Sequence, residues 1–338
     1  MNPAKSKGLP IICDHAIIRA MDLLYAKYNR QRLPPFQIET SIWRDRDRKF
    51  VLKKALASDA VAHLQRLHEQ VAPIRHGLRG DRLRLPEVTV IDEQTLRFDF
   101  VEGRSLDALL VSAFREQDQA RFLGIIDDYL ALLNSAFTLV PAPVLTEAMR
   151  QVFSLESPAE LEGLGPFLTP ALADLVFENI LVDGDRHYLI DHEWVFEGCL
   201  PVSFVLFRSL FYFYEKNKAF GLEAWMPLAA VLERFALSPE TVRRYRAMDE
   251  AFQAYVFGRE RCYRYKDRYA KYAHSVPSLL ETIEHQRQVV RDYHAKIIQM
   301  QASIGWKFVQ KTGRLMDTYF PPGTRRRRVL ERLLRSFL

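Results

Sequence analysis

The chain has 338 residues, of which 48% are hydrophobic and 27% charged, and its formal net charge is +6. These proportions exclude wholesale disorder and allow one two-lobed body or two modest domains with a real core. Residues 302–338 hold nine Lys/Arg and two Asp/Glu, whereas the other 301 residues hold 39 basic and 40 acidic side chains, so no nucleic-acid groove is expected in the body.

Residues 14–28 (DHAIIRAMDLLYAKY) follow an aspartate start and space their apolar side chains as a helix does. PFQIETSIW and KFVLKKAL then read as a β-hairpin around a charged RDRDR turn. From Ser58 to His76 a helix is expected, with Val61, Leu64, His68 and Val71 on one face and Ser58 or Asp59 as cap. EVTVIDEQTLRFDFV reads as two strands around an IDEQ turn. After Gly103, Leu106–Phe114 and Ala120–Phe137 are amphipathic helices, and ESPAELEGLGP is looser. NILVDGDRHYLID is a compact hairpin turning at DGD, and apolar helices run from Pro201 to about Tyr272. Strands with one helix, followed by helices with one inserted hairpin, give an α+β layout of two lobes with a hinge near residues 99–105. The expected divisions are an N-terminal lobe 1–102, a helical lobe 103–275, a coiled-coil helix 276–306 and a basic tail 307–338.

Val276, Ile283, Val290, Ile297 and Ile304 recur every seven residues, with Leu279, Tyr293 and Met300 at the companion positions and Gln286 as a polar interruption. This is an a/d pattern over about four heptads, and it predicts a homo-oligomer through 276–306. Ile and Val at a suit a dimer, while Tyr and Met at d leave a trimer open. The alternative is a helix packed on its own domain. Beyond a Pro-Pro-Gly break, Thr324 is a suitable N-cap for a short helix. Val329, Leu330, Leu333, Leu334, Phe337 and Leu338 fall on one face of it, among Arg325–Arg328, Arg332 and Arg335. Residues 324–338 therefore read as an interfacial anchor on an anionic membrane surface. Packing on the enzyme body and a nucleic-acid arm are the other readings, and the continuous leucine face speaks against the second. Cys13, Cys199 and Cys262 are far apart and form no CxxC, so reduced thiols are expected rather than zinc or disulfides. The N-terminus has no apolar core of signal-peptide length, and no eighteen consecutive residues are apolar, so no spanning segment is expected.

The chemistry-bearing segment is ADLVFENILVDGDRHYLIDHEW. Asp174 precedes Asn179 by five residues, and a hairpin then ends in Asp191. Phosphoryl transfer from ATP needs one carboxylate to orient and deprotonate a hydroxyl, and an amide oxygen plus a second carboxylate to hold Mg²⁺. A D-x4-N spacing alone is weak; the strand that opens at the Asn and the strand that closes at the second Asp add the information. FVLK ends a strand at Lys53, in the manner of a phosphate-gripping lysine, with Lys54 as the alternative because strand alternation lets only one face a cleft. In FDFVEGRSLDALL, backbone groups near Asp99 and Val101 could hydrogen-bond adenine.

On these segments the chain resembles the protein-kinase-like superfamily, closer to its aminoglycoside-phosphotransferase and lipopolysaccharide-kinase branches than to the Ser/Thr/Tyr kinases. FVEGRSL resembles the linker, DLVFENILV the catalytic loop and LIDHEW the metal loop, over roughly residues 35–270. With its heptads and basic end, the chain also looks like the kinase part of bacterial O-antigen chain-terminating enzymes. The resemblance implies Asp174 as catalytic base, Asn179 and Asp191 as Mg²⁺ ligands, and Lys53 as the phosphate-binding lysine. Glu69, the only Asp/Glu between Val61 and Gly80, is the candidate partner of that lysine. It also implies ATP and Mg²⁺, a carbohydrate or lipid-linked polysaccharide acceptor, and a cytoplasmic, peripheral place on the inner face of a bacterial plasma membrane. Alternatives are a pseudokinase scaffold at the membrane and a soluble antibiotic kinase. The departures are the missing Gly-rich loop (Gly8 is the only glycine before Gly77), the Ala173 before the base, and DHE in place of D-F-G. Without that loop the Tyr28–Leu33 stretch is the candidate phosphate holder. No G-x-G-x-x-G occurs, so no Rossmann methyltransferase is encoded.

Overall fold

The computed structural model describes residues 21–259 and 276–328. Residues 14–20 of the first expected helix, Cys13, Cys262, the end of the helical run near Tyr272 and the leucine face of the tail from Val329 lie outside the described residues. The chain divides into two compact units, Met1–Asp267 and Arg268–Leu338.

The first unit is α+β and carries two cores. Strands β1 (Asp22–Tyr28), β2 (Ile38–Asp45) and β3 (Arg48–Ala55) precede helices α1 (Val61–Glu69) and α2 (Val71–Gly77). The short strand β4 (Leu83–Arg84), then β5 (Val88–Asp92) and β6 (Thr95–Asp99), complete this part. The antiparallel sheet has the order β1-β2-β3-β6-β5, and α1 covers one face. Ile38, Ala55, Ala60, Leu64, Leu67, Leu96 and Phe98 form the smaller core between them.

Three expectations are corrected here. Asp22–Tyr28 is a strand, not the end of a helix. The open edge of β2 needs a hydrogen-bonding partner, and that tertiary demand overrides a weak helical preference. A register shift between Leu23 and Tyr25 breaks the two-residue alternation, which is why the segment did not read as a strand. The inner face of α1 is His63, Leu64 and Leu67, while His68 is exposed. Neither Ser58 nor Asp59 caps α1: they form a one-turn 3-10 helix with Ala60, and Ala60 is the N-cap without a side-chain bond.

The second lobe is built on helices Leu106–Arg115, Gln119–Ala136, Val202–Asn217 and Pro239–Phe257. Ser105 and Asp118 cap the first two by accepting from the Ala108 and Arg121 amides. Val202–Asn217 is apolar nearly all round, and it is buried accordingly. The hairpin Ile180–Asp183/Arg186–Leu189 is flanked by Arg104–Ser105 on one side and by β4 on the other. The chain thus visits the second lobe at β4, with Leu83 and Leu85 in the large core, before it returns for β5 and β6. At the hinge Gly103 has φ +148°, and a Cβ there would lie 2.7 Å from the Val182 carbonyl, so the glycine of FVEGRSL is demanded by close approach.

In the second unit a helix spans Val276–Ala302 and another Ile304–Tyr319. Ser303 caps the second by accepting from the Trp306 amide at 3.2 Å, so Ile304 begins a new helix and does not continue the heptad seam. Ile283, Val290, Tyr293, Ile297 and Met300 expose between 44% and 66% of their surface. Oligomerisation through this helix predicts that replacing Val290 and Ile297 by Asp reduces the mass seen by light scattering to that of a monomer. An unchanged mass, or a monomeric wild type, contradicts oligomerisation through this helix.

Candidate active site

Lys53 lies on β3, one residue inward of the exposed Lys54, and only 3% of its side chain is exposed. Its Nζ donates to Asp191 Oδ1 at 2.6 Å and to Glu193 Oε1 at 3.2 Å. Asp191 and Glu193 stand two apart, and both side chains meet the same Lys53 ammonium. His192 between them meets the Leu67 carbonyl with Nε2 at 3.2 Å and ties this segment to α1.

Glu69 is not the partner of Lys53. It sits two residues beyond the buried Leu67, on the exposed face of α1, and Glu193 takes its place. The α1 residue that comes near Glu193 is His63, with Nε2 3.8 Å from Oε2. Glu193 also accepts from Arg32 Nη1. Arg32 comes from the β1–β2 connection, within the Tyr28–Leu33 stretch named from sequence.

The loop that carries Asp174 is pinned carbonyl by carbonyl. Arg208 Nη1 donates to Ala173 O, Asn179 Nδ2 to Asp174 O at 3.0 Å, and Ser209 Oγ to Leu175 O at 3.1 Å. The Tyr129 hydroxyl donates to the same Leu175 O, and the Asn179 amide to Val176 O at 2.9 Å. Buried carbonyls left without donors are costly, so this pairing fixes the backbone that presents Asp174. Arg208 is itself held by Asp249 Oδ1 at 2.9 Å, and Asp249 accepts from Tyr212 as well. Nothing in the sequence reading singled out Glu193, Arg208, Tyr129 or Ser209; a lone arginine inside the apolar run VSFVLFRSLFYFY was the available signal.

Burial alone would lower the Lys53 pKa, but the Asp191 and Glu193 charges outweigh it and raise it. Burial would raise Glu193, yet Arg32 and Lys53 hold it well below the usual carboxylate range. Asp174 is pushed up to about 8, first by burial and then by the charges of Asp191 and Glu193.

Because Asn179 spends its NH₂ group on the Asp174 carbonyl, its Oδ1 is the acceptor it turns elsewhere. That oxygen and the Asp191 carboxylate are hard donors and suit Mg²⁺, which keeps several waters and shares phosphate oxygens. Among the described residues no group of three or more His, Cys, Asp or Glu forms a metal cage. At the hinge, Asp99 ends β6 and donates its N–H to Glu87 O at 3.0 Å. Val101 follows, half-buried.

Arg32, Asp174, Asn179 and Asp191 line one cleft of ≈ 330 Å³. Farther along it the walls are Phe213, Phe252 and Phe257, with Gln253 and the Lys216 ammonium between Asp107 (3.0 Å) and Glu178 (3.1 Å).

The sheet lobe with its covering helix, the hinge, and the helical lobe with an inserted hairpin form the two-lobed α+β layout expected from the sequence. No protein-family model and no curated protein matches the chain. Among solved structures, the macrolide 2'-phosphotransferase MphH of Brachybacterium faecium is 14% identical, over 70% of this chain and 88% of that one, with a TM-score of 0.34. An aminoglycoside-3'-phosphotransferase of type VIII is 21% identical over 63% and 88%, with a TM-score of 0.33. A microcompartment-associated aminopropanol kinase is 13% identical over 78% and 88%, with a TM-score of 0.36. Likenesses this distant say nothing by themselves about what the chain acts on.

Proposed function

We propose that the chain transfers the γ-phosphoryl group of ATP to a hydroxyl of a sugar, the terminal residue of a lipid-linked bacterial polysaccharide. The observation that carries the reading is the meeting of Asp191, Asn179 and Asp174 at one cleft, with Lys53 bonded to Asp191 and the Asp174 loop fixed by Arg208, Tyr129 and Ser209. Asp174 takes the proton of the acceptor hydroxyl as its oxygen bonds to the γ-phosphorus; the bond to the bridging oxygen breaks and ADP leaves. Lys53 contacts the phosphates from β3, and Asn179 and Asp191 would hold Mg²⁺, which supplies charge neutralisation at the transferring group. The Asp99 carbonyl and the Val101 backbone would receive the adenine. Aromatic walls with amide and charged groups between them suit a sugar, whose ring faces stack and whose hydroxyls need polar partners.

Membrane attachment rests on the basic tail. No helix among the described residues is long and apolar enough to cross a membrane. Arg325–Arg328 begin a helix after the Thr324 cap, whose hydroxyl accepts from the Arg327 amide at 3.3 Å. An enzyme held at the cytoplasmic face meets a lipid-linked acceptor in two dimensions. Deleting residues 324–338 is expected to release the protein from anionic vesicles in a sedimentation assay and to leave activity on a soluble acceptor mimic. Equal pelleting of the truncated chain contradicts this anchor.

The acceptor is tested by incubation with Mg-ATP and either a sugar-terminated lipid-linked polysaccharide or an aminoglycoside. Phosphate gained by the polysaccharide supports the proposal, and phosphate gained only by the aminoglycoside replaces it with an antibiotic kinase. ATP binding without turnover on any acceptor replaces it with a pseudokinase scaffold.

A further inference from the structure

A loop that wraps phosphates with backbone amides needs glycine, and Asn29–Gln37, the connection between β1 and β2, contains none. It is fastened to the second lobe instead. The Leu33 amide donates to Val256 O at 2.9 Å, and the buried Phe36 packs against Trp194 and Tyr255, with ring centres 5.0 and 5.1 Å away. The fastened loop delivers one cation into the catalytic cleft. The Arg32 guanidinium lies 5.5 Å from the centre of the Trp194 ring, is paired with Glu193 and is close to the charges of Asp191 and Asp174. Glu193 therefore faces two cations, Arg32 and Lys53, from a site where its own side chain is 2% exposed. Lys53 is shared between Glu193 and Asp191, and Arg32 stands beside Asp191 and Asp174, where an incoming Mg-nucleotide would meet it. Arg32 lines the cleft together with Asp174, Asn179 and Asp191, and a guanidinium fork matches phosphate oxygens two at a time.

We propose that Arg32 binds the terminal phosphate of the nucleotide in place of a glycine-rich loop, and that Glu193 is the positioning residue that aims both Arg32 and Lys53. The proposal rests on the phosphotransferase reading and adds the means by which the phosphates are held. The helix that follows β3 need not supply a carboxylate, because Glu193 already occupies the position behind Lys53.

The test is titration calorimetry of the full chain with ATP, ADP and AMP in Mg²⁺. For Arg32→Ala, ATP affinity is expected to fall about tenfold or more, the scale of one lost charge-assisted hydrogen bond, while AMP affinity stays within about twofold. Arg32→Lys keeps the charge without the fork and is expected to lose part of the preference for ATP over AMP. It carries the test alone if the alanine variant does not fold. Glu193→Gln is expected to weaken ATP and ADP together, since it loosens both cations, and to spare AMP. A merely structural role would move all three nucleotides alike and would lower the melting temperature with them. Unchanged ATP affinity in the Arg32 variants, or equal losses for ATP and AMP, overturns the proposal while the phosphotransferase reading stands. A wild type that binds none of the three nucleotides overturns both.

Discussion

Asp174→Asn is expected to lower turnover by about 10²-fold or more, the usual scale for removing a general base, while ATP affinity stays near that of the wild type. Asparagine keeps the shape of the side chain but cannot take up the hydroxyl proton. It leaves the pinned backbone intact, since the bonds from Arg208, Asn179, Tyr129 and Ser209 all go to main-chain carbonyls. Turnover is read from ADP release at saturating acceptor, and binding from a separate titration. Equal turnover in the two proteins would remove Asp174 from the chemistry. Loss of binding along with turnover would mean that the substitution disturbs the cleft rather than the base.

The largest stability effect is expected at the buried pair behind the Asp174 loop, Arg208 and Asp249. Arg208 and Asp249 are each 4% exposed at the side chain, and Asp249→Ala leaves a guanidinium buried without its carboxylate. Breaking a buried ion pair from one side costs about 3–5 kcal/mol, a large part of a domain's total stability, and denaturant unfolding would read it as a lower midpoint. Replacing both members, as Arg208→Met with Asp249→Leu, removes the unpaired charge and is expected to restore most of the stability. Turnover is not expected to return with it, because Ala173 O would still lack its donor and the Asp174 loop would lose one of its ties. Recovery of stability and turnover together would show that Arg208 serves packing alone.

Much of the site was legible in the sequence for a local reason. Asp174, Asn179 and Asp191 lie within eighteen residues, and a tight hairpin around Gly184, at φ +61°, brings the segment back on itself. Lys53 and Lys54 were separable only by the side of β3 that is buried, which depends on the sheet. Glu193 was within reach of the same alternation rule, two residues beyond Asp191, but the expectation of a helix carboxylate drew attention to Glu69. Arg32 and Arg208 were not legible as site residues, because their partners lie far along the chain: Glu193 is 161 residues from Arg32, and Asp249 is 41 from Arg208. The strand Asp22–Tyr28 failed for a related reason. The register shift between Leu23 and Tyr25, set by its pairing with β2, breaks the two-residue alternation that would mark it as a strand.

The most direct measurement is of the product itself. Wild-type chain, Mg²⁺ and ATP labelled at the γ-phosphate would be mixed with a sugar-terminated acceptor, and the acceptor analysed for a phosphate monoester by mass and by ³¹P resonance. Label leaving ATP and appearing as one phosphate ester on an acceptor hydroxyl, and absent when Asp191→Ala replaces the wild type, is the predicted result. ATP left intact by the wild type, or label released only as free phosphate at the same rate with and without Asp191, would contradict the account.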